Sequence, residues 1–422
     1  MRIGIVSTMA SVPWGGSEEL WAKMAHRALQ TGIHVSICIP LRPRPDHEKL
    51  RALESAGADI FCIPDSLLHL RAHQLSRAIN LLHRGLGEYL REHLSPLPRF
   101  LSTRPDVLLI SDGGSIPAPA IIDSVRRRYA PRPYVIVSQA NLGEVPNPTH
   151  RAKAAALYQD ARFALFVSES NLRATERQLT RRLANARVIK NPVNLDRIDA
   201  VPWPDNKAVS FASVARLNTS AKGQDILFEA LSATRWRSRD WHLCLYGSGD
   251  DDAYLHELAT FYGLSDRIAF RGQSEDIRGI WRTHHALMLP SRVEGTPLAM
   301  VEAMLCGRPV IGTAVAGIPE WVREGRDGFL ADAPAVTCLD AALERAWQER
   351  GRWQSIGSNA REDALRLYDP RPDETLLSIV MEAADRSAGT FVLPREETKI
   401  ASVDCVAREA SPSVGIDHNS CV

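Results

Sequence analysis

Two acidic residues in one short stretch have a spacing that suits the binding of a molecule rich in hydroxyl groups. Glu294 and Glu302 have seven residues between them, in the segment Ser-Arg-Val-Glu-Gly-Thr-Pro-Leu-Ala-Met-Val-Glu-Ala-Met. A carboxylate that accepts hydrogen bonds from two neighbouring hydroxyls makes charge-assisted bonds, which fix the orientation of a sugar. A plainer interpretation also fits: Glu294 stabilises the start of a helix, and Glu302 is a solvated acid on that helix.

The elements around these acids favour a binding loop. Residues 286–289 are apolar and predict a strand, so Glu294 lies in the loop at the carboxyl end of that strand. Pro297 is suited to the first position of the following helix. Such a helix start presents unsatisfied backbone N–H groups that bind phosphate or sugar hydroxyls. The N–H groups in question are those of Gly295, Thr296 and Leu298.

A pair of glycines follows the first predicted strand. Gly15 and Gly16 come after residues 3–7 and before an amphipathic helix with Leu20 and Met24 on its apolar side. Glycines at a helix start allow a phosphate or a reacting sugar to approach the backbone closely. The same pair of residues is also typical of an ordinary turn.

Composition indicates a globular protein with more than one core. The chain has 422 residues, of which 45% are hydrophobic and 24% charged, and this length favours two domains. Its seven cysteines are odd in number and scattered, which favours reduced thiols over disulfides or a zinc site. We find no charged leader before a long apolar region and no run of eighteen apolar residues, so we expect a cytoplasmic protein.

Alternating strand and helix patterns predict two tandem Rossmann-like domains, each with a parallel sheet. The predicted strands lie at residues 3–7, 35–39, 59–63, 107–111, 134–138, 164–167, 186–189, 210–214, 242–246, 268–271, 286–289 and 310–312. Helices are predicted between them, for example at 223–233 and 253–262. A proline-rich linker near residues 191–207 separates the two series. We therefore predict domains at 1–200 and 201–370, a closing helix at 371–386 that crosses back to the first domain, and an unstructured tail at 387–422.

Residues 289–330 resemble the donor-binding block of the retaining nucleotide-sugar glycosyltransferases of family 4, which have the GT-B fold. The shared features are the two glutamates, the turn Cys-Gly-Arg-Pro-Val-Ile and the segment Gly-Ile-Pro-Glu, in order and at the expected intervals. The resemblance implies an α/β protein with two Rossmann-like domains facing across a cleft. It also implies that Glu294 contacts hydroxyls of the transferred sugar and that Glu302 holds the ribose hydroxyls of the nucleotide. Gly295, Thr296 and Leu298 belong to the same donor-binding loop.

Two further motifs carry the same resemblance. The family has an arginine after the first strand of the second domain and a Lys-Gly pair at the next helix, which correspond to Arg216 and Lys222. Both are implied to contact the donor diphosphate and to offset the charge of the leaving group. Gly15 and Gly16 correspond to the family's Gly-Gly loop. The implied catalytic set is Glu294, Arg216 and Lys222, with no metal and no cofactor beyond the nucleotide-sugar substrate.

One feature departs from the family. Many members carry a histidine after the fourth or fifth strand of the first domain, whereas this chain reads Ile-Ser-Asp-Gly-Gly-Ser at 110–115 and Val-Ser-Gln-Ala-Asn-Leu-Gly-Glu at 137–144. Neither segment contains a histidine. Four side chains are candidates to fill that space: Asp112, Gln139, Asn141 and Glu144.

The predicted function is transfer of a sugar, with retention, from a nucleotide diphosphate sugar to an acceptor hydroxyl on a glycan or lipid-linked molecule. Two alternatives stay open. One is a catalytically idle relative that binds glycan or nucleotide, and the other is a sugar phosphorylase or epimerase of the same fold. Nucleic acid is not an expected partner.

The charge distribution bears on the acceptor. Residues 1–195 hold 26 Lys+Arg against 16 Asp+Glu, a balance of +10, and the remainder holds 25 against 34, a balance of −9. Arg77, Arg84 and Arg91 form a stripe on one predicted helix, and residues 126–132 form a second basic cluster. One interpretation is a solvated arginine face. The other is reversible, salt-sensitive contact with the anionic inner face of a membrane.

Overall fold

The computed structural model describes residues 1–9, 14–43, 47–63, 95–114, 116–140, 143–205 and 208–385. Three predictions lie outside these residues. They concern the helix that carries Arg77, Arg84 and Arg91, the candidate Asn141, and the tail from residue 387.

The first half of the described chain forms a seven-stranded parallel sheet. Its strands run in the order β3-β2-β1-β4-β5-β6-β7. They are β1 (Arg2–Ser7), β2 (His34–Pro43), β3 (Asp59–Ile63), β4 (Val107–Asp112), β5 (Tyr134–Ser138), β6 (Phe163–Phe166) and β7 (Ala186–Val188). The central strands β4 and β5 are buried along their whole length, because helices cover both faces. All seven strands match predicted ones to within a few residues.

Helices connect these strands and form two hydrophobic cores with them. They are α1 (Gly16–Gln30), α2 (Glu48–Ser55), α3 (Leu97–Ser102), α4 (Pro119–Arg128), α5 (Pro148–Asp160) and α6 (Glu169–Leu179). Leu20, Met24 and Ala28 of α1 are buried in one core together with Ile5 and Leu109 of the sheet. The predicted apolar side of α1 therefore packs on the sheet.

The second half repeats the architecture with a six-stranded parallel sheet in the order β10-β9-β8-β11-β12-β13. The strands are β8 (Val209–Val214), β9 (Trp241–Tyr246), β10 (Ile268–Phe270), β11 (Ala286–Leu289), β12 (Val310–Thr313) and β13 (Gly328–Ala331). The sequence patterns did not predict β13. It has four residues and begins with glycine, and its pairing with β12 is a tertiary contact that a local pattern does not show.

The helices of this half differ from prediction at two points. They are α7 (Thr219–Lys222), α8 (Gln224–Leu231), α9 (Thr234–Arg237), α10 (Asp252–Phe261), α11 (Ile277–Thr283), α12 (Leu298–Leu305), α13 (Val336–Gln348) and α14 (Trp353–Leu367). The helix predicted at 223–233 ends at Leu231, and Ala233 caps the next short helix. α12 begins at Leu298 with Pro297 as its N-cap, one residue later than predicted.

A last helix, α15 (Pro372–Ala384), follows the second sheet but packs on the first. Leu376, Leu377, Val380 and Ala383 lie in the core that also contains the apolar side of α1. α15 therefore covers the first sheet, although it follows the second sheet along the chain. The division of the chain near residue 200 stays a prediction.

A buried arginine fixes the segment between the two sheets. Arg308 is 1% exposed, and its guanidinium donates to backbone carbonyls that include those of Val201, Pro202 and Trp281. Burial lowers the pKa of Arg308 to about 10. Because carbonyl oxygens take up its N–H groups, this charge is buried without a carboxylate beside it. The linker is thereby attached to the second sheet.

Within the part of the chain that the structure describes, no helix is both long enough and apolar enough to cross a bilayer. Cys38, Cys244, Cys306 and Cys338 are unbridged thiols. Burial raises the pKa of the Cys306 thiol to about 11, which keeps it protonated.

Candidate active site

The loop between β11 and α12 holds a buried carboxylate. Glu294 is 7% exposed, and its Oε1 accepts hydrogen bonds from Nζ of Lys222 at 2.6 Å and from Oγ of Ser291 at 2.7 Å. A charged group this well buried requires partners of this kind. Two residues that the sequence indicated from separate motifs are thus in direct contact.

The turn between α7 and α8 brings Lys222 to this position. Gly223 has φ of +66°, and a Cβ at that residue would lie 2.0 Å from the carbonyl oxygen of Pro290. Only glycine combines this backbone conformation with so close an approach. The N–H groups of Arg292 and Val293 both donate to the carbonyl of Ala221, at 2.8 and 3.1 Å. The two loops are therefore bonded to each other through their backbones.

Arg292 strengthens the same junction, although no sequence motif pointed to this residue. Its guanidinium makes a bidentate pair with Asp225, at 2.5 and 2.8 Å, and donates to the carbonyl of Thr219 at 2.6 Å. The hydrogen bond to Asp225 raises the pKa of Arg292. The pair fixes the start of α8 relative to the Glu294 loop.

Arg216 lies beside this junction in the loop after β8. Its backbone carbonyl accepts a hydrogen bond from Nε2 of Gln224 at 2.7 Å. Its side chain is exposed and makes no hydrogen bond or ion pair with the residues that the structure describes. The loop is thus anchored, while the guanidinium remains available to a ligand.

The helix starts of the two halves face each other. α12 begins at Leu298, and no acceptor among the described residues takes a hydrogen bond from the N–H of Gly295, Thr296 or Leu298. Leu298 is only partly buried, because it faces α1 rather than the core. Gly15 caps α1, and a Cβ on Gly16 would lie 3.1 Å from Cδ1 of Leu298. The loop of Gly15 and Gly16 is therefore next to the start of α12.

Glu302 is buried rather than solvated. It lies in the second turn of α12, is 3% exposed, and its Oε1 accepts a hydrogen bond from the backbone N–H of Asn194 at 2.8 Å. Burial raises its pKa above the ordinary value, while the hydrogen bonds from Asn194 and the nearby Lys23 oppose that rise. The interpretation of Glu302 as an exposed helical acid is therefore wrong.

The four candidates for the family's histidine position have different surroundings. Asp112 is 4% exposed, and Oγ1 of Thr8 donates to its Oδ1 at 2.5 Å. Its Oδ2 has no hydrogen-bond partner in the described part of the chain. Burial raises the pKa of Asp112 to about 6. Gln139 is 6% exposed, Glu144 is exposed, and Asn141 lies outside the described residues.

Gln139 is the candidate whose contact with the donor loop the structure records. A Cβ on Gly295 would lie 2.0 Å from the carbonyl oxygen of Gln139 and 2.8 Å from Cγ2 of Val167. Oγ1 of Thr296 donates to the carbonyl of Val167 at 2.8 Å. Gly295 thus permits the loop of the second half to touch the strand ends of the first.

An acidic side chain from the second half caps a helix in the first. The carboxylate of Glu320 accepts hydrogen bonds from the backbone N–H groups of Glu169 and Ser170, at 3.1 and 2.7 Å, at the start of α6. A carboxylate at a helix N-terminus is favourable for the helix dipole. Glu320 ends the Gly-Ile-Pro-Glu segment, but no local sequence pattern indicated its partners.

Metal binding receives no support from the described residues. They contain no group of three or more His, Cys, Asp or Glu side chains that could hold a metal ion. Lys222 contacts Glu294 in the loop between β11 and α12, and Arg216 is exposed in the loop after β8.

Two parallel α/β sheets whose strand carboxyl ends meet define the chain as a GT-B protein. Residues 208–349 match the family model described as glycosyl transferases group 1. This match lies in the second half of the chain and confirms there the resemblance seen in the sequence.

Solved structures support the fold, and curated relatives match only a part of the chain. The crystal structure of Anabaena HepE in complex with UDP covers 91% of this chain and 100% of its own, with TM-score 0.68 and 20% identity. N-acetyl-alpha-D-glucosaminyl L-malate synthase of Bacillus anthracis is 28% identical over 129 residues, which are 31% of this chain and 34% of that protein. The putative colanic acid biosynthesis glycosyltransferase WcaL of Salmonella typhimurium is 32% identical over 181 residues, 40% of this chain and 44% of that protein. The matches thus span less than half the length of these relatives.

Proposed function

We propose that the protein transfers a sugar from a nucleoside diphosphate sugar to an acceptor hydroxyl, with retention at the anomeric carbon. The observation that carries the proposal is the contact between Lys222 and Glu294 beside the free N–H groups at the start of α12. A cation, a carboxylate and a helix N-terminus are thus concentrated in one buried loop. Together they match the diphosphate and the hydroxyls of such a donor.

The roles of the residues follow from their charges. Glu294 accepts hydrogen bonds from hydroxyls of the transferred sugar. Lys222 and the exposed Arg216 bind the diphosphate and offset the negative charge that grows as it leaves. The N–H groups of Gly295, Thr296 and Leu298 add donors for the same oxygens, and Gly15 and Gly16 allow the acceptor half to approach the reacting sugar.

Glu302 is proposed to hold the ribose hydroxyls. Its carboxylate accepts a hydrogen bond from the N–H of Asn194 and is therefore oriented before a ligand arrives. Two vicinal hydroxyls would supply the remaining hydrogen bonds that a buried carboxylate requires.

Retention results if the diphosphate leaves from, and the acceptor hydroxyl attacks, the same face of the sugar. The leaving phosphate is then the group that takes the proton from the acceptor hydroxyl. Lys222 and Arg216 keep the diphosphate in position during this step, and the closely packed Gly295 loop limits the entry of water.

The first experiment is incubation of the protein with UDP, GDP and ADP sugars and an acceptor mixture, followed by measurement of free nucleoside diphosphate. Because Anabaena HepE was solved with UDP, UDP sugars are the first to test. A transferase releases the diphosphate and forms a glycoside whose anomeric configuration equals that of the donor, which NMR can read. A protein that only binds releases none, an epimerase returns the sugar on its nucleotide, and a phosphorylase requires inorganic phosphate.

The acceptor is proposed to be a glycan or a lipid-linked molecule, reached by salt-sensitive contact with an anionic surface. The excess of basic residues in positions 1–195 supports this proposal. The basic cluster at 126–132 begins in the last turn of α4 and precedes β5, so it lies at the amino ends of the strands, opposite Gln139, which follows the carboxyl end of β5. It therefore does not line the donor site, and the stripe of Arg77, Arg84 and Arg91 is the part of the proposal to test.

Co-sedimentation with vesicles tests this surface contact. We expect binding to vesicles with anionic lipids at low salt, loss of binding at high salt, and weak binding of a variant with Arg77, Arg84 and Arg91 changed to Gln. A variant with Arg126, Arg127 and Arg128 changed to Gln is the matched control for total charge. Binding that ignores lipid charge, or that the first variant retains in full, would favour a soluble acceptor.

A further inference from the structure

We propose that the side-chain amides of Gln139 and Asn191 together bind one hydroxyl group of the transferred sugar and thereby help to select the sugar. This inference deepens the proposed function and rests on it. Gln139 follows β5, and Asn191 lies in the segment that joins the two halves. Neither residue belongs to the donor motifs in residues 208–349.

The two amides are joined by a single hydrogen bond and are otherwise unsatisfied. Nδ2 of Asn191 donates to Oε1 of Gln139 at 2.9 Å. Nε2 of Gln139 and Oδ1 of Asn191 are buried and have no hydrogen-bond partner among the residues that the structure describes. Buried polar atoms of this kind usually have partners, and leaving them without any costs stability. An unused donor and an unused acceptor at one place therefore indicate a site for a ligand.

The chemistry of the site does not depend on how the amide atoms are assigned. If nitrogen and oxygen are exchanged in both side chains, the hydrogen bond simply reverses its direction. One NH₂ group and one carbonyl oxygen remain unused in either case. A hydroxyl both donates and accepts, so it can satisfy both groups at once. An anion would satisfy only the NH₂ group, and a cation only the carbonyl.

The surroundings of the amide pair point to the transferred sugar. The backbone of Gln139 touches Gly295, which follows the proposed sugar ligand Glu294. Three residues after Asn191, the N–H of Asn194 holds Glu302, the proposed ribose ligand. The amide pair is therefore next to the Gly295 loop, and it comes three residues before the residue that holds Glu302.

Asp112 and Asn171 also have buried polar atoms without partners in the described chain, but these atoms are not placed next to the Gly295 loop. Asp112 has an unpartnered Oδ2, but its Oδ1 is bonded to Thr8 and it has no recorded contact with the donor loop. Asn171 has an unpartnered Oδ1, and its Nδ2 donates to the carbonyl of Ser138 inside the first half. Within the described ranges, only the Gln139 and Asn191 pair combines a free donor, a free acceptor and a contact with Gly295.

The test is a titration of the intact protein with UDP-glucose and with UDP, and in parallel with GDP-mannose and with GDP. We compare wild type with Gln139→Met and Asn191→Leu, which keep the side-chain volume and remove the amide. We expect each variant to bind the nucleotide sugar about three- to tenfold more weakly, as for the loss of a neutral hydrogen bond, with unchanged affinity for the bare nucleotide.

Donor analogues that lack single hydroxyls separate hydroxyl recognition from a structural role. Wild type should bind one deoxy analogue about three- to tenfold more weakly than the full donor. Gln139→Met should bind that analogue and the full donor equally well, because the hydrogen bond is already lost. If the amides have only a structural role, removing a given hydroxyl from the donor should weaken binding by the same factor in wild type and in Gln139→Met. Asn185→Leu is the matched control, because Nδ2 of Asn185 donates to the carbonyls of Tyr158 and Ala161 away from the donor loop.

The outcomes separate this inference from the proposed function. If wild type binds and turns over a nucleotide sugar but Gln139→Met does so equally well, the amide pair is not a sugar site while the function stands. Equal loss of nucleotide and nucleotide-sugar affinity in the variant would also overturn the inference. If wild type neither binds nor turns over any of the nucleotide sugars, the inference and the proposed function both fail.

Discussion

Nζ of Lys222 lies 2.6 Å from Oε1 of Glu294, although 72 residues separate them in the sequence. Their side chains are 17% and 7% exposed. The proposed donor offers each of them a better partner, since the diphosphate accepts from Lys222 and the sugar hydroxyls donate to Glu294. Donor binding would therefore exchange one ion pair for two sets of charge-assisted bonds.

The first prediction concerns turnover after loss of either member of this pair. Glu294→Ala should lower kcat about ten- to a hundredfold, because it removes one or two charge-assisted hydrogen bonds of about 1.5–3 kcal/mol each. Lys222→Met should also lower kcat, and the double variant should lose less than the product of the two effects, because the residues share one site. Initial rates with saturating donor measure all three.

Arg216→Met is the control for the ion pair. It removes a charge of the proposed donor site that has no partner among the described residues, so it should reduce turnover but leave thermal stability unchanged. Lys222→Met should lower both, since it leaves the buried Glu294 with Ser291 as its recorded partner. Full activity in Arg216→Met and Lys222→Met together would remove these residues from the proposed site.

The second prediction separates the roles of Glu302 and Glu294. Glu302→Ala should weaken the affinity for the bare nucleoside diphosphate, because the proposed ribose ligand is lost, whereas Glu294→Ala should leave that affinity unchanged. We expect about a tenfold change for one lost charge-assisted hydrogen bond. Titration calorimetry with the nucleotide measures it. Equal effects of the two substitutions on nucleotide affinity would contradict the separate assignments.

Much of the fold was predictable because parallel strands covered on both faces are continuous apolar runs, as in β4 and β5. The contact between Lys222 and Glu294 follows from the arrangement of the predicted parallel strands. Their loops leave the carboxyl ends of β8 and β11, and these strands are neighbours in the sheet. Local sequence could not reveal β13, whose evidence is its pairing with β12.

Contacts between the two halves were beyond prediction from local patterns. The hydrogen bond between Gln139 and Asn191 and the cap of Glu320 on α6 depend on how distant segments come together. Polar residues in such segments look like ordinary loop residues in the sequence. The burial of Glu302 was missed for the same reason, since its partner Asn194 lies 108 residues away.

The third prediction concerns the pH dependence of stability through Asp112. Burial raises the pKa of Asp112 from 3.8 to about 6. Between these values the folded chain binds a proton that the unfolded chain releases, so the folded state loses stability as the pH rises through this window. Asp112→Asn keeps an acceptor for Thr8 and removes the titration. Relative to wild type, it should gain about 3 kcal/mol in unfolding free energy between about pH 4 and pH 7.

Urea unfolding of both proteins at several pH values checks this prediction. Between pH 4 and 6, the urea concentration at the wild-type midpoint should fall relative to that of Asp112→Asn. Above pH 6, the difference between the two midpoints should stay constant. A difference that does not change across the window would mean that the carboxyl group is not held protonated by burial.

The fourth prediction concerns the approach of the two halves at Gly295. A methyl group there would lie 2.0 Å from the carbonyl oxygen of Gln139, which cannot move without moving β5. Gly295→Ala should therefore push the donor loop away from the first half and lower kcat/KM for the donor about a hundredfold, through misplacement of the reacting groups. Affinity for the bare nucleotide should change little, because its proposed ligands lie in the second half.

Gly351→Ala is the matched control for this substitution. A Cβ at Gly351 meets no atom within 4 Å, and the residue is exposed, so activity and stability should remain at wild-type values. Gly295→Ala should in addition increase hydrogen exchange at the start of α6, where Glu320 and Thr296 bond the first half. Overpacking of this kind costs about 1–3 kcal/mol unless the structure relaxes around the added methyl group. If Gly295→Ala has wild-type kinetics and unchanged hydrogen exchange, the close contact between Gly295 and Gln139 is not required for activity.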